Sequence, residues 1–533
     1  MSTDARDAVE DGFGHVSRTV GTVFRYLLLV STLVGIVTLG VLLVYVANDA
    51  IRPLTADPGW HLTFVLAFAL PSLLVGGYLY RRDKSALFTG LNALGVPAVS
   101  LLFASAAAML FVDVVPPLIW FAYVVAVAIP LVVLLATTRY SHRIPFLARV
   151  ATLAAVTVAS LGVVPGAIQS LPFVPQAWLV VAATLGVPVA GVAGTYADRR
   201  WGRRAAVSVA VAALVATVAA PFAGPTIGLD PLPATVLMAL AGVPTAVYVG
   251  TVVVNQPERR VGLLLPLVVV AGALVGGAVV DALGFAGPQA WIDWQFLTSD
   301  HSNTPAEAGI YPAIVGTILL MVVVALASFP VGVGAAVYLE EYAPDNTFTR
   351  VVDVNISNLA GVPSVVYGLL GLGVFVRYGG MTPGTVVVGG MTLALLILPI
   401  IIISAREAIR SVPDSMRQAS YGMGATRWQT VKNVVLPRSF PGILTGTILA
   451  LGRAIGETAP LLMIGAPQIF DLPTALDARV GAMPLQLYVW ATTFASPEFY
   501  TTALAAGVVT LLVAMLAMNS IAIVLRNKYQ REQ

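Results

Sequence analysis

The 533-residue chain is 58% hydrophobic and only 10% charged, with a formal net charge of +3. No soluble globular protein buries that much apolar surface, so the composition reads as an all-α polytopic integral membrane protein. Cysteine is absent, which excludes disulfides and thiolate chemistry, and the modest positive balance points to no nucleic-acid partner.

The first twenty or so residues are polar and mixed in charge. The apolar run at 24–46 is longer than the apolar part of a cleaved leader and reads as a retained first span. Seven more follow near 61–80, 87–111, 115–137, 148–168, 177–194, 205–223 and 232–254, and then six near 261–284, 311–336, 356–377, 384–404, 441–464 and 503–525. Each approaches the ~17–25 residues that cross a bilayer, giving about fourteen transmembrane helices. The prolines and glycines inside them are tolerated because neighbouring helices satisfy the freed backbone groups.

The basic residues test that count. With a cytoplasmic N-terminus, three of the 29 Lys and Arg (Arg52, Arg377 and Arg479) fall outside and Arg453 is left in the membrane. The rest, including Arg81, Arg143, Arg203, Arg259 and the tail with Arg526 and Lys528, fall inside. This asymmetry is the positive-inside pattern, and it places both termini in the cytoplasm. Loops 285–310 and 466–500 then lie outside, and the long 405–440 segment lies inside. Four scattered histidines (His15, His61, His142 and His301) have no metal-ligand spacing, so neither a metal nor any other cofactor is expected, and each His reads as a loop or interfacial residue.

The inner segment reads "EAIRSVPDSMRQASYGMGATRWQTVKNVVLPRSFPGI". Pro413-Asp414-Ser415 suits a helix start, Gly424 a turn, and "ATRWQTVKNVV" a second short helix before Leu436-Pro437. Gln418-Ala419-Ser420, Gly424 and Val434-Val435-Leu436-Pro437 have the spacing of the EAA loop of ABC-transporter permeases, which this segment resembles. It departs from that pattern in Gln418 for Glu, Ser420 for Ala and Val434 for Ile; an amide at 418 keeps hydrogen bonding but loses a charge. The resemblance implies that Gln418, Ala419, Ser420, Gly424, Ala425, Leu436 and Pro437 couple the membrane helices to a separate ATPase. Read without it, the segment is an amphipathic stretch on the membrane surface with Trp428 as an anchor. No G-x-x-x-x-G-K-[ST] occurs, so any ATP energy must come from another chain.

"GRAIGETAPLL", "GIYPAIVGTILL", "YLEEYAP" and "NLAGVPSVVYGLLGLGVF" together resemble phosphate ABC-transporter permeases of the PstA type, over about 258–530. This resemblance implies a six-helix permease core at 258–533 in a prokaryotic cell membrane. It also implies a PstC-type second permease, two PstB-type ATPases and an extracytoplasmic PstS-type phosphate-binding protein as partners, with lipid around them. The chain itself is then a transport subunit with no catalytic residue. Residues 1–257 read as an N-terminal membrane extension of about eight spans with no functional motif. Arg453, a planar fork of donors suited to phosphate oxygens, stands four residues before Glu457, one helical turn away, with Thr458 next in the same motif. Ionisable residues at bilayer depth are functional candidates by default, and these three are expected to line the translocation path. The competing expectations are a structural ion pair, another oxyanion such as sulfate or molybdate, or a membrane enzyme or sensor.

Overall fold

The computed structural model describes residues 18–139, 146–171, 176–467 and 471–531. His15, His142 and Arg143 lie outside them. Among the described residues the structure is helical, and strand-like pairing is confined to one bridge between Thr385 and Arg479. Besides single turns, the helices begin with α1 (Arg18–Ile51). Four helical hairpins follow: α2 (Pro58–Arg82) with α3 (Lys84–Val114), α4 (Pro117–Arg139) with α5 (Phe146–Gln169), α6 (Ala177–Trp201) with α7 (Arg203–Ile227), and α8 (Pro231–Asn255) with α9 (Pro257–Leu283). Next come α10 (Tyr311–Tyr342), α11 (Thr347–Ala360), α12 (Ser364–Tyr378), α13 (Val386–Arg410) and the short α14 (Asp414–Gly422). The chain ends with α15 (Arg427–Ile455), α16 (Ala459–Met463), α17 (Met483–Thr492) and α18 (Ala503–Arg531).

Thirteen of the described helices are long and apolar enough to cross a membrane, and α11 with α12 supply a fourteenth only as a pair bent by 107°. The expected straight span at 356–377 is therefore corrected. Gly361, Val362 and Pro363 interrupt it, because Pro363 lacks an N–H and pushes its predecessor out of the helical region. α11 carries Arg350, Asp353, Asn355 and Asn358 among its apolar residues, so it does not continue the apolar run of α12.

Other prolines are absorbed. Pro71, Pro188, Pro244 and Pro437 each follow a π turn whose last N–H reaches five residues back: Leu70 to Val65, Val187 to Ala182, Val243 to Met238 and Leu436 to Val431. The extra residue in the turn makes room for the ring where a helix would otherwise break. Leu436-Pro437 consequently does not end the second helix of the 405–440 segment. That helix runs on into the next span as α15.

The largest buried cluster joins Leu320 and Val324 of α10, Leu393, Ile397 and Ile401 of α13, Leu461 of α16 and Leu485 of α17. α1 does not join the hairpins that follow it; it leans on α18. α9 packs on α2 and α3. α9, which follows the expected boundary at 257/258, thus packs on helices that precede it. The chain leaves α1 and returns to it at nearly the same place. Asp57 N–H donates to Ala286 O (3.0 Å), Ala286 N–H to Asp57 Oδ2 (2.7 Å), Gln289 N–H to Thr55 Oγ1 (2.9 Å) and Trp291 N–H to Ala50 O (2.8 Å). Arg52 lies over the Trp291 ring and donates to Thr501 O beside α18.

Candidate functional site

α15 ends at Ile455, with Gly456 N–H bonded to Arg453 O and Glu457 N–H to Ala454 O (3.2 Å). The reading of 441–464 as one helix with charges at its centre is corrected accordingly. Arg453 occupies the last turn, where the negative end of the helix dipole favours a cation. Glu457 lies just past the helix end yet still meets it, Arg453 Nε to Glu457 Oε1 at 3.3 Å. The Arg453 side chain is 49% exposed and that of Glu457 17%. Thr458 precedes α16, and its carbonyl accepts from Leu462 N–H; its side chain caps nothing.

This break faces the other one. A Cβ on Gly368 of α12 would stand 2.8 Å from Pro460 Cα and 2.6 Å from Met463 Cβ, so only glycine lets α12 and α16 approach this closely. Tyr367, next to it, donates to Leu359 O across the α11–α12 bend (2.8 Å) and lies within electrostatic reach of Arg453. Two interrupted helices thus meet beside the Arg453–Glu457 pair.

At the other candidate site, α14 and the start of α15 form the expected helix–turn–helix. Gly424 has φ +79°, a conformation an L side chain rarely adopts, and its added Cβ would meet open space. Ala425 N–H bonds Ser420 O, Ser420 Oγ meets Thr430 Oγ1 at 2.8 Å, and Thr426 with Gln429 makes a capping box on α15. Gln418, Ala419, Ser420, Gly424 and Ala425 are thereby brought together at the turn. Leu436 and Pro437 stand apart, further along α15. Met423 (89% exposed) and Trp428 (58%) leave an apolar surface on the projection.

Sequence reading missed what holds this projection to the bundle. Glu341, at the end of α10 and 6% exposed, accepts from Arg417 Nε and Nη2 of α14 (3.2 and 3.0 Å). Its neighbour Glu340 accepts from Arg406 Nε (2.7 Å) and Arg410 Nη2 (2.8 Å), and Arg406 also reaches Asp353 of α11 (2.6 Å). Two adjacent acids at a span end, against three arginines in the next inner segment, were the available signal. His301, expected as a loop residue, lies in loop 284–310 against Trp490 and Phe494, with Nδ1 2.8 Å from Gln486 Nε2. Burial holds its pKa below the ordinary value, so the ring stays neutral near pH 7.

Residues 328–530 match the family described as binding-protein-dependent transport system inner membrane component. The phosphate transport system permease protein PstA of Yersinia pestis is 33% identical over 273 residues, covering 50% of this chain and 90% of that protein. The chain belongs to the PstA-type ABC permeases. It is a multi-pass membrane transport component. The PstA permease of Mycobacterium leprae is 33% identical over 223 residues, covering 42% of this chain and 71% of its own length. The probable ABC transporter permease protein YqgI of Bacillus subtilis is 38% identical over 172 residues, 32% of this chain, and the match spans 58% of the YqgI length.

Proposed function

We propose that this chain is a permease subunit of an ATP-driven phosphate importer. It forms the path with a PstC-type permease, receives phosphate from a PstS-type binding protein, and is driven by two PstB-type ATPases seated on the α14–α15 projection. The observation that carries this reading is Arg453 held by Glu457 at the meeting of two helix breaks. A guanidinium fork can bind two phosphate oxygens, and a neighbouring carboxylate can accept the proton that hydrogen phosphate keeps and sulfate lacks. Against sulfate that carboxylate meets only lone pairs and like charge. The exposed turn around Gly424 supports the ATPase contact, with Gln418, Ala419, Ser420 and Ala425 on the docking side and Leu436 and Pro437 behind it.

The packing of α1 on α18, with α2–α9 leaving and returning beside Trp291, supports a further division. The transport core takes in α1 and α10–α18, and the eight helices α2–α9 are an accessory unit set into it.

The test is ATP hydrolysis by the complex reconstituted with its binding protein and ATPase in lipid vesicles. Phosphate is expected to stimulate hydrolysis and to accumulate in the lumen. Stimulation by sulfate or molybdate to an equal or greater degree would overturn the assignment of the cargo.

A further inference from the structure

Beyond the docking surface itself, a coupling loop must pass its movement to the helices that line the path, and something rigid has to do so. On α14, Ser415, Gln418 and Ala419 are exposed, but Arg417 itself points back into the bundle. Its guanidinium is engaged all round: Nε and Nη2 on Glu341 Oε1, Nη2 on Ile409 O (2.9 Å), Nη1 on Val412 O and on Asp414 Oδ1 (3.1 Å). The side chain is only 15% exposed. A lysine could keep the charge but could not make this set of contacts, because an ammonium lacks the planar fork.

Glu341 and Glu340 are neighbours in sequence at the end of α10, yet they serve different clients. Glu341 holds α14. Glu340 holds Arg406 of α13, which also grips Asp353 of α11. α11 leads through the 361–363 break into α12, and α12 packs through Gly368 on α16, one break away from Arg453 and Glu457. Buried charges joined in this way resist separation, since removing one partner strands the other in a poorly solvated place. The turn of the loop does not depend on this pair; the Ser420–Thr430 contact and the Thr426–Gln429 capping box close it independently.

We propose that Arg417 is a positioning residue that, through Glu341, makes α14 and the end of α10 move as one body. Displacement of the coupling loop thereby reaches Arg406, α11 and the break at 361–363. The proposal rests on the reading of this chain as a subunit driven by a separate ATPase.

The experiment measures oxyanion transported per ATP hydrolysed in reconstituted full complexes, comparing Arg417→Lys, Glu341→Gln and Asp414→Asn with the unaltered protein. Arg417→Lys and Glu341→Gln are expected to assemble with the ATPase and hydrolyse ATP, while the ratio falls about fivefold or more, within the usual range of coupling between sites. Asp414→Asn should leave the ratio unchanged, because that contact is exposed on the Asp414 side. An unchanged ratio in Arg417→Lys and Glu341→Gln would overturn the proposal. So would loss of the bound ATPase, which would make Arg417 a docking or folding residue. The unaltered complex separates this from the proposed function: if it responds to another oxyanion, the cargo was misread, and the same ratio is taken with that ion.

Discussion

Arg453 and Glu457 are a weak stabilising pair by their own geometry. A single contact at 3.3 Å with the arginine half exposed contributes at most about 1 kcal/mol. Stability alone therefore does not account for the two residues. Direct recognition predicts that Arg453→Lys loses most phosphate transport despite retaining the charge, because two-point contact is lost. Glu457→Gln should keep assembly but lower phosphate uptake and narrow its advantage over sulfate. Uptake of both ions by variants matched for membrane expression decides it; an unchanged phosphate-to-sulfate ratio in Glu457→Gln would make the pair structural or a gate. The four-residue spacing was legible in the sequence. The helix end between the two residues was not, because Gly456 sits in an apolar run that reads through it.

At the scale of elements, the sequence made each span visible and left its continuity open. Pro437 and Pro399 lie inside helices, whereas Pro363 breaks one, so proline alone does not mark a break in a membrane segment. The difference lies in the neighbours: a π turn precedes Pro437, and a polar-faced helix followed by Gly361 precedes Pro363. The turn between α14 and α15 was the more legible element because it needs one backbone conformation at Gly424 and caps at fixed offsets. The contact between α12 and α16 was hidden, since nothing in the sequence pairs Gly368 with Pro460. It carries a prediction. Gly368→Val should force the two broken segments apart, with an overpacking penalty of about 1–3 kcal/mol, and abolish most uptake while the chain still inserts. Gly373→Val is the control, because a Cβ there would meet no neighbouring segment within 4 Å, and it should transport normally. Equal activity in both variants would mean that the α12–α16 contact does not shape the path.

The molecule as a whole can be counted through the membrane. By length and hydropathy α1 supplies one crossing and α2–α9 supply eight, which returns the chain to the end where it left, and α10 starts there. An even number of crossings can be set into a permease at this point without inverting the helices that follow. Such a unit needs its two ends close together, and the Asp57–Ala286 and Thr55–Gln289 hydrogen bonds bring them together. The boundary expected at 257/258 follows the contiguous stretch of resemblance, and the proposed division differs from it because α1, which carries no motif, packs on α18. The unit also touches the core: Val114 of α3 joins the largest buried cluster, and Asp113 contacts Tyr311 at the start of α10. This arrangement predicts how the full-length protein comes apart after folding. Specific protease sites would be introduced after Leu54, which is 87% exposed, and after Gly284, and cut in native membranes. With a tag on the C-terminal fragment, 1–54 should stay with 285–533 under detergent washing that removes 55–284, and the cut protein should still take up phosphate before that washing. Co-migration of 1–54 with 55–284 instead would show that α1 belongs to the hairpin unit, and the permease core would then have to begin after residue 284.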